Sequence, residues 1–462
     1  MEDVLVMSKR PNILFLMTDE HRADCLGFYG NQIIRTPHLD NLAKDAVIFD
    51  HAYTPSPICI PARQCMMSGQ LPKTCGCLQY GDDLPPFSMT FAKRFSQYAY
   101  MTIACGKLHH LGTDQNQGWI SHWGVEGADI AGVKSIDGLI TNEFEKIQIQ
   151  RQKWDDVKEI KRAGIMPSPY GEKDEFATQA AIHAIKQHFL SPSYDRAQPQ
   201  RPILLMVSLN QPHYPYFCPD ARKFEYYLNR VPVFNDNNPF SHPWLGKSPN
   251  QPGPILIGRD ISFREAQRAT AAYYSMIETA DELFGKVINE IIHAGEDLDE
   301  WIIIYTSDHG EMLGEHSIWE KQKFFEGSVR IPLFIRFPKK YQPRRVQENV
   351  NLCDLFATLC DIAEIPAPQG LDSRSLVDLC DGNHSLWNDE SISHFGKDFL
   401  MIKQGSLKYQ YYGESMPEVL FDLDRDPAEN INFIDQTEYH EMLSIFRRRR
   451  KQLGYGRYAD TQ

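Results

Sequence analysis

The alternation of short apolar runs with helical segments predicts an α/β protein. A large, mainly parallel mixed sheet flanked by helices is expected, with a small C-terminal α+β subdomain. Three observations carry this expectation. Four apolar runs are continuous, a long capped helix lies between the last two, and the texture changes to short alternating runs from about Ser385. Strands buried on both faces need apolar residues at nearly every position, so a parallel sheet reads as unbroken runs.

In chain order the runs are residues 12–17 (NILFLM), 101–105 (MTIAC), 203–208 (ILLMVS) and 301–306 (WIIIYT). Between the third and fourth, Ser262 with Glu265 forms a capping-box pattern. Apolar residues then recur at Ala271, Ile277, Leu283, Val287 and Ile291, and Gly295 stands where a C-terminal cap belongs. Residues 215–260, rich in Pro, Asn and aromatics, read as a long surface loop. Beyond them, FLMIKQG, LKYQYYG and EVLFDL read as short strands before a final helix ending in FRRRRK. That basic end reads as solvated cations at a helix C-terminus rather than as a polyanion site. The chain is expected to divide into residues 1–384 and 385–462.

Composition narrows the function. With 462 residues, 42% hydrophobic and 24% charged, the chain is neither disordered nor collagenous nor a coiled coil. A net charge of -13 provides no field to hold nucleic acid or an anionic membrane. No apolar run reaches the roughly 18 residues that a bilayer span needs. The run NILFLM, broken soon after by Asp19, is too short for a signal-peptide core, which predicts a cytoplasmic chain. Its ten cysteines are then mostly free thiols, and Cys65, Cys75 and Cys77 match no common zinc spacing.

Ligands of open parallel sheets bind beyond the carboxyl ends of the strands. Those positions hold Asp19, Glu20 and His21, then Lys107, His109 and His110. The third and fourth runs lead to Gln211 and His213, and to Asp308, His309 and Glu311. Asp19, Glu20 and Asp308 are hard oxygen ligands suited to Ca²⁺ or Mg²⁺, with His309 as a nitrogen ligand. Lys107, His109 and His213 are donors that neutralise an oxyanion. A metal beside several cations suits transfer of a phosphoryl-like or sulfuryl group.

Residues 56–69 (SPICIPARQCMMSG) add a nucleophile. Cys59 lies just before a helix start with Arg63 four residues on, and both features favour a reactive thiolate. Cys59-x-Pro61-x-Arg63 followed by Ser68-Gly69 closely resembles the signature of type I sulfatases, members of the alkaline phosphatase superfamily. The likeness continues in order along nearly the whole chain. Asn12 to Asp19 resembles the family's opening strand and first metal ligand, and residues 36–43 (TPHLDNLA) its first helix. Gly106-Lys107-Leu108-His109, Pro212-His213, Ser307-Asp308-His309-Gly310 and Lys321-x-x-x-Phe325-Glu326-Gly327 resemble its sulfate- and metal-binding segments. Residues 420–430, from Leu420-Phe421-Asp422 to Glu429-Asn430, are similar to its C-terminal turn. The whole looks most like the choline sulfatase and related bacterial branch.

The resemblance implies an alkaline phosphatase-like fold and hydrolysis of a small sulfate ester. It implies a maturase that oxidises Cys59 to Cα-formylglycine, whose hydrate supplies the nucleophile. The second hydroxyl of that hydrate, with His109 as base, lets the sulfated enzyme expel sulfate. One divalent ion, Ca²⁺ foremost with Mg²⁺ or Mn²⁺ open, would be held by Asp19, Glu20, Cys59, Asp308 and His309. Lys107, His213 and Lys321 would neutralise the sulfate, Lys321 or His213 would protonate the leaving oxygen, and Arg63 would hold the nucleophile and its loop. Glu20 and His309 depart from the family's commoner residues. A choline cage would draw on Tyr80, Asp82, Asp83, Tyr214 and Tyr216. Two rivals stand beside this reading: a phosphonate monoester or phosphodiester hydrolase of the same fold, and a non-catalytic sulfate-ester binding protein. A homo-oligomer is left open.

Overall fold

The computed structural model describes residues 10–112, 114–124, 156–197, 200–235, 242 and 254–456. Its strands in chain order are β1 (Ile13–Asp19), β2 (Val47–Tyr53), β3 (Met101–Gly106), β4 (Ser121–Trp123), β5 (Gly164–Ile165), β6 (Ile203–Pro212), β7 (Phe217–Cys218) and β8 (Ile302–Ser307). They continue with β9 (Arg330–Ile331), β10 (Leu333–Arg336), β11 (Arg344–Asn351), β12 (Glu390–Phe395), β13 (Phe399–Gln404), β14 (Leu407–Tyr412) and β15 (Val419–Asp422).

One sheet among the described residues runs in the order β11-β2-β10-β8-β1-β6-β3-β4, with β9 paired to β2. All its strands point the same way except β9 and β10. The four apolar runs are β1, β3, β6 and β8, and they are hydrogen-bonded neighbours at its centre. Ile13, Phe15 and Met17 join Leu204, Met206, Ile302 and Ile304 in one apolar layer. Leu14, Leu16, Leu205, Val207, Ile303 and Tyr305 form the layer on the other face. Burial on both sides is the physical reason these runs do not alternate.

The helix Phe263–His293 starts at the reciprocal capping box of Ser262 and Glu265. It ends before Gly295, whose φ of 82° turns the chain away. Its Leu283, Phe284, Val287 and Ile291 cover the second layer, each burial stabilising by about 1.5–3 kcal/mol. The earlier half packs on Tyr216, Phe224 and Tyr227. This corrects the reading of residues 215–260 as a loop. β7 pairs with β5, and Asp220 caps the helix Ala221–Leu228. Its buried aromatics, Phe224 and Tyr227, are spaced i, i+3 in a helix that also carries Arg222, Lys223 and Glu225, which obscures them in the sequence. Residues 236–241 and 243–253 of that stretch lie outside the described residues.

Strands β12 to β15 form a separate four-stranded antiparallel sheet. One face sets Met401, Tyr412, Val419 and Phe421 against Tyr53, Phe324 and Phe325. The other sets Leu400, Ile402, Tyr409 and Leu420 against Leu443 and Phe446 of the helix His440–Gln452. The basic end of that helix is paired rather than merely solvated: Arg447 and Arg450 with Glu418, and Arg449 with Glu390. All ten cysteines are unbridged. No helix among the described residues is long and apolar enough to cross a membrane.

Gly106 closes β3 with a φ of 96°, and a Cβ there would stand 2.0 Å from the Ser208 carbonyl oxygen. The Lys107 N–H donates to that same oxygen at 2.8 Å. Gly106→Ala is therefore expected to cost about 1–3 kcal/mol in urea unfolding, and to lower turnover per folded molecule as the Lys107 segment shifts. Unchanged activity and stability would show that this close approach does not position the loop.

Candidate active site

Four adjacent strands deliver the site. Asp19 is the last residue of β1, Lys107 follows β3, His213 follows β6, and Asp308 with His309 follows β8. Cys59 comes from outside the sheet. It is the first residue of the helix Cys59–Ser68, not the one before it, and it is 3% exposed. Arg63 lies one turn further along the same helix.

Arg63 organises the acids. Its Nε donates to Asp308 Oδ2 at 2.7 Å and its Nη2 to Asp19 Oδ2 at 3.1 Å. Its Nη1 donates to the Lys107 carbonyl at 2.8 Å and to Ser208 Oγ at 2.9 Å. The planar fork thus ties three strand ends together, which a lysine's point charge cannot do. Lys107 Nζ reaches Asp19 Oδ2 at 2.7 Å. Burial acts to raise the Asp19 carboxyl, but the charges of Lys107 and Arg63 hold it well below the usual range. Burial likewise works against the Arg63 and Lys107 charges, and the carboxylates outweigh it.

A donor cluster faces this fork. Ligand atoms of Asp19, Cys59, Asp308 and His309 lie within 4.8 Å of one another. His309 Nε2 is 3.4 Å from Cys59 Sγ and 3.9 Å from Asp19 Oδ1. Burial holds His309 neutral, and its Nδ1–H donates to the Gly310 carbonyl at 3.0 Å, so Nε2 turns a lone pair towards the cluster. Asp19 Oδ1 is buried with no hydrogen-bond partner. An orphaned carboxylate oxygen, a second carboxylate and an oriented imidazole fit a divalent cation that favours oxygen.

Glu20 falls in an overlapping set with Asp19 and His213. Its backbone is left-handed, with φ of 65°, and the Tyr273 hydroxyl donates to its carbonyl at 2.6 Å. Its Oε2 accepts from Lys321 Nζ at 2.7 Å. Burial raises the Glu20 carboxyl well above its usual value, with Lys321 opposing. Lys321 Nζ also donates to His213 Nε2 at 2.6 Å. Burial and the Lys321 ammonium keep His213 neutral, while its Nδ1–H donates to the Tyr214 carbonyl. The proton of this pair therefore rests on Lys321, which burial would discharge but Cys59 and Glu20 keep charged. His109 has a φ of 57°, and its carbonyl accepts from Gln64 Nε2 at 2.8 Å.

Several positioning groups have no signature in the sequence. Gln64 and Ser208 hold the segment after β3, and Ser307 Oγ bridges the carbonyls of Thr18 and His309 at 3.2 and 3.0 Å. Asp174 accepts from the backbone N–H groups of Asn210 and Gln211 at 2.6 and 2.9 Å, holding the chain just before His213. Tyr170, also missed, presents its ring edge-on to His213 at 5.6 Å. The proposed cage divides. Tyr80 stands edge-on to His109 at 6.4 Å, and Lys321 Nζ lies 4.8 Å over the Tyr214 ring. Tyr216 instead packs on Trp319, and Asp82 caps the turn at Leu78 and Gln79. Asp83, pushed up to about 6 by burial, binds the N–H groups of Leu84 and Gly112.

Comparison with known proteins gives a consistent result. A family model described as Sulfatase matches residues 11–365. A second, described as N-sulphoglucosamine sulphohydrolase, C-terminal, matches residues 314–454. An arylsulfatase of Clostridium perfringens is 28% identical over 95% of this chain and 93% of its own. A choline-sulfatase of Rhizobium meliloti is 28% identical over 92% of this chain and 83% of its own. Among solved folds, a phosphonate monoester hydrolase of Agrobacterium radiobacter covers 96% of this chain and 95% of its own at 21% identity, with a TM-score of 0.74. A structure solved with its substrate D-glucosamine-2-N,6-O-disulfate covers 96% of this chain and 97% of its own, at 21% identity and a TM-score of 0.75.

The donor cluster makes a direct prediction. Ca²⁺ added to metal-stripped protein is expected to raise Tm, by about 2.7 kcal/mol of stabilisation at a hundredfold excess over Kd. Asp308→Asn should keep the fold but shrink that shift. An equal shift in the variant would remove Asp308 from the donor set.

Proposed function

The chain belongs to the sulfatase family, and from that premise we propose that it hydrolyses the sulfate ester of a small organic or carbohydrate substrate with residue 59 as nucleophile. It is a sulfuric ester hydrolase of the alkaline phosphatase superfamily. The observation that carries the mechanism is the convergence of Asp19, Cys59, Asp308 and His309 beside Lys107, His213 and Lys321. In this reading a formylglycine-generating maturase oxidises Cys59. Residues 1–384 form the catalytic part and 385–462 the appended one.

Asp19, Asp308, His309 and residue 59 would hold a divalent ion, Ca²⁺ in this proposal, with Glu20 serving the lysine instead. When bound, such an ion supplies positive charge that acidifies the nucleophile and offsets charge on the sulfuryl group. The remaining work falls to side chains. Arg63 bonds Asp19 and Asp308 side by side and helps to hold Asp19 ionised. Lys107 and Lys321 neutralise the sulfate oxygens from buried positions, where each donor acts more strongly than in water, and neutral His213 orients the Lys321 ammonium through Nε2. Lys321, charged and hydrogen-bonded to neutral His213, protonates the leaving oxygen, and His109 serves as the base that releases sulfate. Tyr80, Tyr170 and Tyr214 beside these groups suit a planar or ring-bearing leaving group.

The same fold serves phosphonate monoesters in a relative, so the test compares the two chemistries. Protein whose residue-59 peptide carries formylglycine by mass spectrometry would be assayed with an aryl sulfate and a phosphonate monoester sharing one leaving group. The expected preference in kcat/KM is for sulfate, by about a hundredfold or roughly 2.7 kcal/mol. A preference for the phosphonate would move the function to phosphorus. Cys59→Ala should abolish turnover with little change in Tm, and a variant with the original kcat would sink the mechanism.

A further inference from the structure

We propose that Lys408 and Gln410, both in the C-terminal sheet, are positioning residues for Lys321. This rests on the role given to Lys321 above and adds what keeps that ammonium in place.

The segment carrying Lys321 cannot hold its own shape. Glu320 and Gln322, on either side of it, have φ of 62° and 71°. Left-handed conformations of such residues cost of order 1–3 kcal/mol each and persist only when the surroundings over-determine them. No helix or strand covers residues 318–325. The restraints are therefore external. The Glu320 N–H donates to Glu311 Oε1 at 2.6 Å, and the Gln322 N–H donates to the Pro57 carbonyl at 3.0 Å. Both restraints come from the catalytic part, the second only two residues before Cys59.

The third comes from the other sheet. Lys408 and Gln410 alternate along β14 with Tyr409 and Tyr411, which face the C-terminal helix. Their own face meets the Phe324 and Phe325 segment. Lys408 Nζ and Gln410 Nε2 donate to the same Phe324 carbonyl, at 3.0 and 3.2 Å. Lys408 Nζ also meets Glu326 Oε1 at 2.7 Å and Glu429 Oε1 at 2.5 Å. Glu429 Oε2 in turn accepts from the Glu326 N–H at 2.7 Å. The Lys408 ammonium thus has one hydrogen bond, to the Phe324 carbonyl, and two carboxylates at ion-pair distance. Pairing with these two carboxylates is what allows Lys408 to sit at 0% exposure, since an unpaired buried charge would be strongly unfavourable. Gln410 is fixed in turn, its Oε1 accepting from the Tyr412 hydroxyl at 2.7 Å.

The clamp grips residues 324 and 326, three and five positions after Lys321. Burying polar donors on the inner face of a sheet is costly unless each is bonded, so their orientation is tightly determined. The C-terminal family match, residues 314–454, spans both the Lys321 segment and β14, as expected if the two form one working unit.

The test is a double-mutant cycle between Gln410→Met and Lys321→Ala. Gln410→Met removes one donor to Phe324 while keeping volume and charge, and Lys408→Met is the harsher companion. Each would be assayed as mature enzyme with 4-nitrophenyl sulfate and with a simple alkyl sulfate, whose leaving oxygen needs a proton more. Gln410→Met is expected to lower kcat for the alkyl sulfate about ten- to a hundredfold, as a misplacement of about 1 Å would. The loss should be smaller for 4-nitrophenyl sulfate, KM should change little, and the loss should vanish in the Lys321→Ala background. An undiminished loss in that background, or full activity in folded Gln410→Met, overturns the clamp. Full activity in Lys321→Ala alone would instead overturn the role of Lys321. If Lys408→Met does not fold, the charge-neutral Gln410→Met carries the result.

Discussion

Asp19 and Asp308 approach one another from neighbouring strands, inside the protein and away from water. Two carboxylates so placed would repel or take up a proton, and either outcome would spoil a cation site. The Arg63 guanidinium offsets the repulsion by bonding one oxygen of each acid, and it helps to hold Asp19 ionised. It leaves Asp19 Oδ1 turned towards Cys59 and His309 with no protein partner. The helix that carries Arg63 begins at Cys59, so the same fork that spaces the acids also sets the distance of residue 59 from them. Lys107 is coupled in twice, through its ammonium to Asp19 and through its carbonyl to Arg63.

Parallel pairing makes this arrangement possible. β8, β1, β6 and β3 end at one edge, and each continues into a residue that carries charge or can accept a proton. Cores on both faces fix the register of these strands, because a one-residue slip would exchange the two apolar layers. The sheet thus sets the positions of Asp19, Lys107, His213 and Asp308. The local turns, several with left-handed residues at Glu20, His109 and Glu320, aim the side chains. Strain of this kind is concentrated around the site, where rigid neighbours can maintain it.

The C-terminal sheet has two different faces. Its outer face is a conventional apolar contact with the last helix. Its inner face mixes apolar contact with a charge-paired lysine and a hydrogen-bonded glutamine, and it meets the Lys321 segment, which no strand of the large sheet delivers. A sheet that covers a segment with directional bonds constrains it more narrowly than apolar packing alone, because hydrogen bonds weaken steeply with misalignment.

The amino-acid sequence by itself determined the central strands, the long capped helix and the chemistry at each strand end, since apolar periodicity, capping residues and charged termini are local properties. It also determined the family, through the motif around Cys59. It did not reveal the helix Ala221–Leu228, whose two buried aromatics are spread among charges, nor the roles of Gln64, Asp174, Ser208 and Ser307, polar residues whose partners are not legible in the sequence. Arg63 was legible as a site residue, but not as the bridge between Asp19 and Asp308. Glu20 read as a metal ligand, and its contact with Lys321, 301 positions away, was not legible in the sequence. Lys408 and Gln410 read as one polar side of an alternating strand, and only the docking of that strand decided that the side faces the protein interior. A side chain's type and spacing are written in the chain, whereas the partner that gives it a task is set by which distant segments fold against it.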